Sequence, residues 1–243
     1  MGAEQIAVVV LGALAGGFVS GFAGFGTGIT ALGIWLYALS PATAASLVVI
    51  CSVVTQVQTI PVVWKHIEPR RVLPFIVPGL LGVPIGVVLL GSLDVRVLKL
   101  GVGAIVLGFS IHLLLNAQRR VRWGGRAADA AVGFGGGILG GLAGLSGPLP
   151  TVWTAFRGWQ KDETRSVLQA FNLTVLTVAL GAHAIAGFLT PAVGWATLAA
   201  LPGTALGGYL GGKAYARASD KRFRQVILGL LCFSGGMLIA TNL

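Results

Sequence analysis

Two glycine-rich segments are the candidates for a binding site in this sequence. The first is Gly16–Gly28, with the sequence GGFVSGFAGFGTG, and the second is Gly136–Gly147, with the sequence GGILGGLAGLSG. Four residues recur at a constant offset of 120: Gly16, Gly21, Ala23 and Gly24 match Gly136, Gly141, Ala143 and Gly144. Repeated glycine breaks in apolar sequence are typical of transporters whose binding site lies near mid-membrane.

Each break could bind a small anion through its backbone. Glycines leave N–H groups uncovered, and successive N–H groups in such turns form concave anion-binding sites. Helices predicted to begin near Thr27 and Pro148 would add the partial positive charge of a helix N-terminus. The ligands predicted at the breaks are Gly24, Phe25, Gly26, Thr27, Gly28, Gly144, Ser146 and Gly147.

The alternative is that the glycines serve only to pack helices. Small residues spaced four apart let two helix backbones approach closely. The residues with this spacing are Gly12, Gly16, Gly133, Gly137 and Gly141.

Polar side chains follow one face of each helix predicted after a break. Ser52, Thr55, Gln56 and Thr59 have i, i+3, i+4, i+7 spacing, and Ser166, Gln169 and Asn172 are three apart. Polar groups at such depth usually face the protein interior or a cavity. We predict Gln169 and Asn172 as ligands, together with Ser52 and Ser46. Hydrogen bonding between helices is the alternative.

Charged residues are expected to avoid the membrane interior. The seven acidic residues fall in predicted loops or at the ends of spans, and no buried carboxylate, Lys or Arg is evident. A metal-ion or Na⁺ carrier would be expected to place carboxylates or soft ligands there. His112 and His183 lie in spans without evident partners, so a structural role is expected for both. The sequence predicts no enzyme, no metal and no cofactor, and a site of neutral donors suits a small anion.

Composition predicts a protein of the lipid bilayer. Of the 243 residues, 55% are hydrophobic and 10% are charged, whereas soluble domains carry about 25% charged residues. Mean hydropathy is +0.88. The net charge of +10 resides in short loops. The excess of Lys and Arg in cytoplasmic loops of membrane proteins explains it better than nucleic-acid binding does.

The apolar segments predict an all-α polytopic protein of two repeats. The repeats are residues 1–115 and 129–243, and a basic cytoplasmic linker, 116–128, joins them. Each begins with a broken segment, 5–39 or 130–156. Three spans follow in each repeat; they are predicted at 41–64, 72–91 and 97–115, then at about 164–187 and 192–212, with a last helix to about 240. Arg157–Arg165 is predicted as a charged loop.

Charge distribution predicts the topology. If each broken segment crosses the membrane once, the 17 Lys and Arg residues divide 10 to 7 between the two sides. If each folds back as a re-entrant hairpin, 15 lie on one side and only Arg96 and Lys99 on the other. The second distribution fits the positive-inside rule. It predicts inverted repeats, each with one hairpin and three transmembrane helices, periplasmic termini, and hairpin tips that meet near mid-membrane.

The chain resembles the sulfite exporter TauE/SafE family over essentially its whole length. The resemblance rests on the two glycine motifs, on Ala44–Leu47, on eight hydrophobic segments and on the basic central linker. Pro148 and Pro150 depart from the motif. The resemblance implies transport of small sulfur-containing anions, such as sulfite or organosulfonates.

We interpret the chain as an inner-membrane secondary transporter that works by alternating access, with a homodimer as one arrangement. A membrane scaffold or accessory subunit is the alternative, and the missing carboxylates disfavour a metal-ion transporter.

Overall fold

The computed structural model describes residues 2–92 and 124–240, and the single positions 100, 103, 104, 107, 108 and 111. Within the two long stretches the chain forms nine α-helices. They are α1 (Ala3–Ala23), α2 (Thr27–Trp35), α3 (Pro41–Thr59), α4 (Pro69–Ser92), α5 (Gly125–Ala143), α6 (Pro148–Arg157), α7 (Lys161–Ile185), α8 (Pro191–Arg217) and α9 (Asp220–Ala240).

Four segments of the described chain are long and apolar enough to cross a membrane. They are Ala3–Ala23, Pro41–Val62, Pro69–Leu90 and Lys161–Ile185. A helix needs about 20 mainly apolar residues to span the hydrocarbon core. The described part of the chain is thus all-helical and has the character of a membrane protein.

Each glycine break joins a long helix to a short one that returns alongside it. In the first hairpin, the Trp35 indole Nε1 at the end of α2 donates to the Val9 carbonyl, near the start of α1, at 3.0 Å. In the second, Trp153 Nε1 donates to Asp129 Oδ1 at 2.6 Å. Both tryptophans therefore join the returning helix to the first half of the long one: Trp35 from the end of α2 and Trp153 from the middle of α6.

The long arm of each hairpin packs most extensively on a helix of the other half of the chain. On α1, a Cβ added to Gly17 would lie 2.6 Å from the Thr204 carbonyl oxygen on α8. On α5, a Cβ added to Gly137 would overlap the backbone of Gly79 on α4. The packing role proposed for the helical glycines is therefore confirmed at α5, where Gly133, Gly137 and Gly141 all meet the α4 backbone.

Two predicted boundaries are wrong for local reasons. The helix predicted over 41–64 ends at Thr59 and continues as 3₁₀ turns, because Pro61 lacks the N–H that a helix interior requires. The loop predicted over Arg157–Arg165 is much shorter, since α7 already begins at Lys161. The Gln160 N–H donates to Glu163 Oε2 at 3.2 Å, which caps that helix.

The starts of the two returning helices agree with the prediction. Helices α2 and α6 begin at Thr27 and Pro148. Helix α8 is longer than predicted, from Pro191 to Arg217. The span predicted at 97–115 and the linker up to residue 123 lie outside the described residues, apart from the single positions given above, and helix α5 begins at Gly125.

Candidate functional site

The two long helices end in the same backbone conformation at matched positions. Gly24 ends α1 with φ +80°, and Gly144 ends α5 with φ +67°. Glycine adopts this left-handed conformation without the steric penalty that other residues pay. The N–H of Gly24 donates to the Ser20 carbonyl at 2.8 Å, and that of Gly144 to the Gly140 carbonyl at 2.9 Å. These glycines turn the chain, in contrast to those that pack one helix on another.

The tips of the two hairpins contact each other. A Cβ added to Gly147 would lie 2.5 Å from Phe25 Cβ, and one added to Gly28 would lie 3.2 Å from the Gly144 carbonyl oxygen. Between them is a cavity of about 10 Å³, near the minimum for one water molecule. Both tips and side chains from α3 and α7 line it, including Phe25, Gly26, Gly28, Ser52, Gln56, Gly144, Ser146, Gly147 and Asn172.

Asn172 bridges the two tips. Its Nδ2 donates to the Gly24 carbonyl at 2.9 Å, and its Oδ1 accepts from the Ser146 hydroxyl at 2.6 Å. Gln56 Nε2 reaches the same Gly24 carbonyl at 2.8 Å. The side-chain amides on α3 and α7 therefore converge on the first tip, and one of them also holds the second.

The predicted ligands divide into two groups. Eight of them line the cavity: Phe25, Gly26, Gly28, Ser52, Gly144, Ser146, Gly147 and Asn172. The other four lie around it. Gly24 contributes its carbonyl to the amides, and Thr27 is buried. Gln169 Nε2 instead donates to Thr59 Oγ1 at 2.7 Å, and Ser46 pairs with His183.

The first turns of α2 and α6 differ in the donors that they offer. The first N–H groups of any helix have no intrahelical acceptor, so α2 presents those of Thr27, Gly28 and Ile29. Pro148 and Pro150 occupy two of the corresponding positions in α6 and have no N–H. The second tip has the Ser146 hydroxyl in addition.

The expectation that no charged group is buried is wrong. Arg165 is fully buried, and its Nη2 donates to the Gly21 carbonyl of the first hairpin at 2.5 Å. Asp129 is also buried, where it accepts from Trp153 and has Arg157 Nη1 3.9 Å away. Both residues were assigned to loops or span ends, whereas each lies one turn inside a helix.

Sequence analysis also missed Gln56 as a site residue and the partners of His183. Gln56 lies one turn after Ser52 on the predicted polar stripe, so the stripe could have identified it. His183 Nε2 lies 2.8 Å from the Gly141 carbonyl, and Nδ1 lies 3.1 Å from Ser46 Oγ. Because a carbonyl only accepts, Nε2 carries the proton and Ser46 donates to Nδ1. His112 lies outside the described residues.

Comparison with known proteins identifies the family. The sequence profile of the sulfite exporter TauE/SafE family matches residues 8–238. The chain belongs to the sulfite exporter TauE/SafE family. The members of this family are membrane transporters and not enzymes. The resemblance seen in the glycine motifs is thereby confirmed.

A curated relative covers nearly the same region. The chain is 28% identical over 231 residues to a protein of Cupriavidus necator named "Probable sulfite/organosulfonate exporter TauE". The alignment spans 93% of this chain and 90% of the relative. No solved structure matches this chain significantly.

Proposed function

We propose that this TauE/SafE protein is a secondary transporter that moves a small sulfur-containing oxyanion, sulfite or an organosulfonate, across the bacterial inner membrane. The name of the Cupriavidus relative supports this substrate class. The proposed site is the junction of the two hairpin tips, with Ser146 and Asn172 as its side-chain donors and the first turn of α2 as its backbone donor.

The observation that carries the proposal is the Asn172 bridge. The buried Ser146 hydroxyl donates to the buried Asn172 amide, and that amide donates to the Gly24 carbonyl, at a place where both chain breaks meet. An oxyanion accepts hydrogen bonds and does not donate them when fully ionised. It would therefore take over the Ser146 O–H and the Asn172 N–H as donors, in place of the acceptors that these groups have within the protein.

Binding of an anion requires the tips to separate. The cavity of about 10 Å³ has room for about one water molecule, and a sulfur oxyanion with three oxygens is larger. We infer that this conformation is the closed one. The substrate would replace the bond between Ser146 and Asn172, so the contacts that close the site are the ones that become available to the ligand.

The electrostatic environment of the tips favours an anion. Helices α2 and α6 both direct their N-termini at the junction, and each contributes a partial positive charge. The guanidinium of Arg165 lies against the first hairpin, bonded to the Gly21 carbonyl. A buried cation therefore lies beside the tips, whereas the sequence predicts a site of neutral donors only.

The packing of helices suggests how access could alternate. Helices α1 and α8 form one glycine-lined pair, and α4 and α5 form the other, with the backbones in close contact in both. Each pair carries the long arm of one hairpin. Rocking of one pair against the other would open the tip junction to one side at a time, as in transporters built from inverted repeats.

The membrane orientation is part of the proposal. With re-entrant hairpins, 15 of the 17 Lys and Arg residues lie in the cytoplasm and both termini in the periplasm. Cysteines introduced at Gly124 and Ala218 should then be labelled from the cytoplasm, and one at Ser92 from the periplasm. Labelling of Gly124 and Ala218 from opposite sides would rule out the hairpin topology.

The test of function is uptake into proteoliposomes. Purified protein should accumulate radiolabelled sulfite or an organosulfonate, and empty liposomes should not. A parallel thermal-shift screen with sulfite, thiosulfate, sulfoacetate, taurine and sulfate would identify the preferred anion. Stability unaffected by every one of these anions, together with no uptake, would favour the membrane-scaffold alternative.

A further inference from the structure

A second, larger cavity lies between helices α6, α7 and α9. Its volume is about 580 Å³, within the usual range for small-molecule sites. Lys161, Lys221 and Arg224 line it, and Asp220 is the one carboxylate among its lining residues. We call this cavity, defined by those three basic residues, the basic vestibule.

Stacked side chains connect the basic vestibule to the first hairpin. Lys161 Nζ lies 5.0 Å from the centre of the Tyr215 ring, and the Arg165 guanidinium carbon lies 3.8 Å from it. Tyr215 is buried, and its hydroxyl donates to Asp162. Arg165 then bonds to Gly21, and its Cγ would lie 3.1 Å from a Cβ on Gly24. Lys161, Tyr215 and Arg165 thus form a continuous row of contacts from the vestibule to the first hairpin tip.

Two guanidinium groups in this region have unused donors, whereas Lys161 Nζ donates to the Ala218 carbonyl at 2.7 Å. Arg165 is fully buried, yet its Nε and Nη1 have no hydrogen-bond partner in the described part of the chain, and neither does Arg224 Nε. The ion pairs found among the described residues involve Arg71 and Arg157 instead. Because burying a cation without a direct counter-ion is costly, these guanidinium groups are suited to an anion from outside the protein.

We propose that the basic vestibule is a second oxyanion site, and that Arg165 passes the anion between it and the hairpin tips. A guanidinium binds the oxygens of sulfite, sulfonate or phosphate groups through several donors at once. The vestibule would concentrate the anion, and Arg165 would hold it while the tips separate. The vestibule itself is independent of the proposed function, whereas the role of Arg165 rests on it.

A phospholipid phosphate has the same chemistry as a free oxyanion, so the test must separate the two sources. Trp159 lines the vestibule and serves as a local probe. Addition of sulfite to the purified protein should change a tryptophan fluorescence signal that Trp159→Phe abolishes. Glycerol 1-phosphate forms the second arm and represents a lipid headgroup. An Asn172→Ala background, which weakens the tip site, should keep the vestibule signal.

Matched variants test the residues. The double variant Lys221→Gln, Arg224→Gln should lower the affinity for sulfite, measured from the Trp159 fluorescence, about tenfold. A loss of this size is expected when charged hydrogen bonds are removed. Arg222→Gln is the control, because Arg222 is exposed and lies outside the vestibule. Arg165→Gln should keep the Trp159 signal and lose most sulfite uptake in proteoliposomes, while Arg165→Lys should restore part of it by returning the charge.

Each outcome decides the proposal. A response to glycerol 1-phosphate and none to sulfite would mean that the vestibule holds lipid, and equal effects of the double variant and Arg222→Gln would overturn the site. Sulfite uptake by Arg165→Gln at the wild-type rate would overturn the relay, which is the proposed passage of the anion through Arg165. If the wild type binds sulfite at the vestibule and takes up none, the proposed transport and the relay both fail, while the vestibule stands.

Discussion

The two hairpin tips begin with the same left-handed glycine and are stabilised in different ways. At the first tip, side chains from other helices donate to the backbone: Arg165 to Gly21, and Gln56 and Asn172 to Gly24. At the second tip, Pro148 and Pro150 restrict the backbone, and neighbours fill the space around Gly144 and Gly147. The first tip is therefore held mainly by hydrogen bonds to its backbone, which a ligand or a motion can exchange, whereas the second is held by steric constraint and by the bond from the Ser146 hydroxyl to Asn172.

This difference suggests a division of labour between the hairpins. Hydrogen bonds to carbonyls can be broken and remade as the protein changes conformation, whereas proline and close packing hold in every state. We infer that the first tip is the moving gate and that the second is the surface against which it closes.

Replacement of Gly144 by alanine should have the largest effect. Its φ of +67° is unfavourable for alanine, and the new Cβ would lie 2.5 Å from Cγ1 of the fully buried Val48. Strain and overpacking together should lower the free energy of unfolding by about 2–5 kcal/mol. Thermal denaturation in detergent measures this loss.

Val48→Ala provides the control for that prediction. It removes the atom that the new Cβ would contact, so the double variant should be more stable than the two separate losses predict. Simple additivity of the two losses would show that packing around the second tip is not what fixes it.

Asn172→Ala should affect ligand affinity most among the variants that fold normally. The change removes the amide that joins the tips and leaves the Ser146 hydroxyl without its acceptor. Loss of a buried polar contact should weaken anion binding by about 1–3 kcal/mol. Isothermal titration with the preferred anion measures the change.

Thr174→Ala is the matched control for Asn172. Thr174 lies on the same helix and donates only to the Ala170 carbonyl within that helix. The Thr174→Ala variant should bind the anion with the affinity of the wild type. Unchanged affinity in Asn172→Ala would exclude the tip junction as the site.

Local features of the fold could be predicted from the sequence. The helix ends at Gly24 and Gly144 follow from the conformational freedom of glycine. The two buried polar stripes, which contain Ser52 on α3 and Asn172 on α7, follow from helical periodicity. The start of α3 at Pro41 is equally local, because Ser40 caps it through a 3.4 Å bond to the Thr43 N–H.

Contacts between distant segments could not be predicted in this way. Arg165 falls in a predicted loop because charged residues of both signs, Arg157 and Lys161 with Asp162 and Glu163, precede it. Its acceptor, Gly21, lies 144 residues earlier in the chain. Gln56 bonds to Gly24, 32 residues away, and this contact depends on the first hairpin folding back. A polar stripe shows which residues face inward, but the choice of partner depends on the tertiary arrangement.

Gly24→Ala should cost less than Gly144→Ala, although both glycines have positive φ. A Cβ on Gly24 would lie 3.1 Å from Arg165 Cγ, 3.6 Å from the Arg165 carbonyl oxygen and 3.7 Å from Gln169 Cβ, which is much less crowded than the 2.5 Å contact at Gly144. The loss in stability should be about 1–2 kcal/mol, the cost of the left-handed conformation alone. The measurement is the difference in melting temperature between the two variants. Equal losses would mean that both tips are fixed by packing, contrary to the comparison above.

Pro148→Ala should have the smallest effect, and it tests whether rigidity at the second tip contributes to binding. Pro148 is the first residue of α6, where its fixed φ suits the helix start. Alanine there gives the unfolded chain more freedom and should lower stability by about 0.4–1 kcal/mol. If the second tip must be rigid to receive the anion, affinity should fall about two- to fivefold as well.

Pro191→Ala is the control for this effect, because Pro191 occupies the same position at the start of α8, away from the tips. It should lose similar stability and keep full affinity. Alanine at position 148 also adds a backbone N–H to the junction. Tighter anion binding in Pro148→Ala would therefore show that the number of donors, and not rigidity, limits the second tip, and the two hairpins would then contribute to the site in the same way.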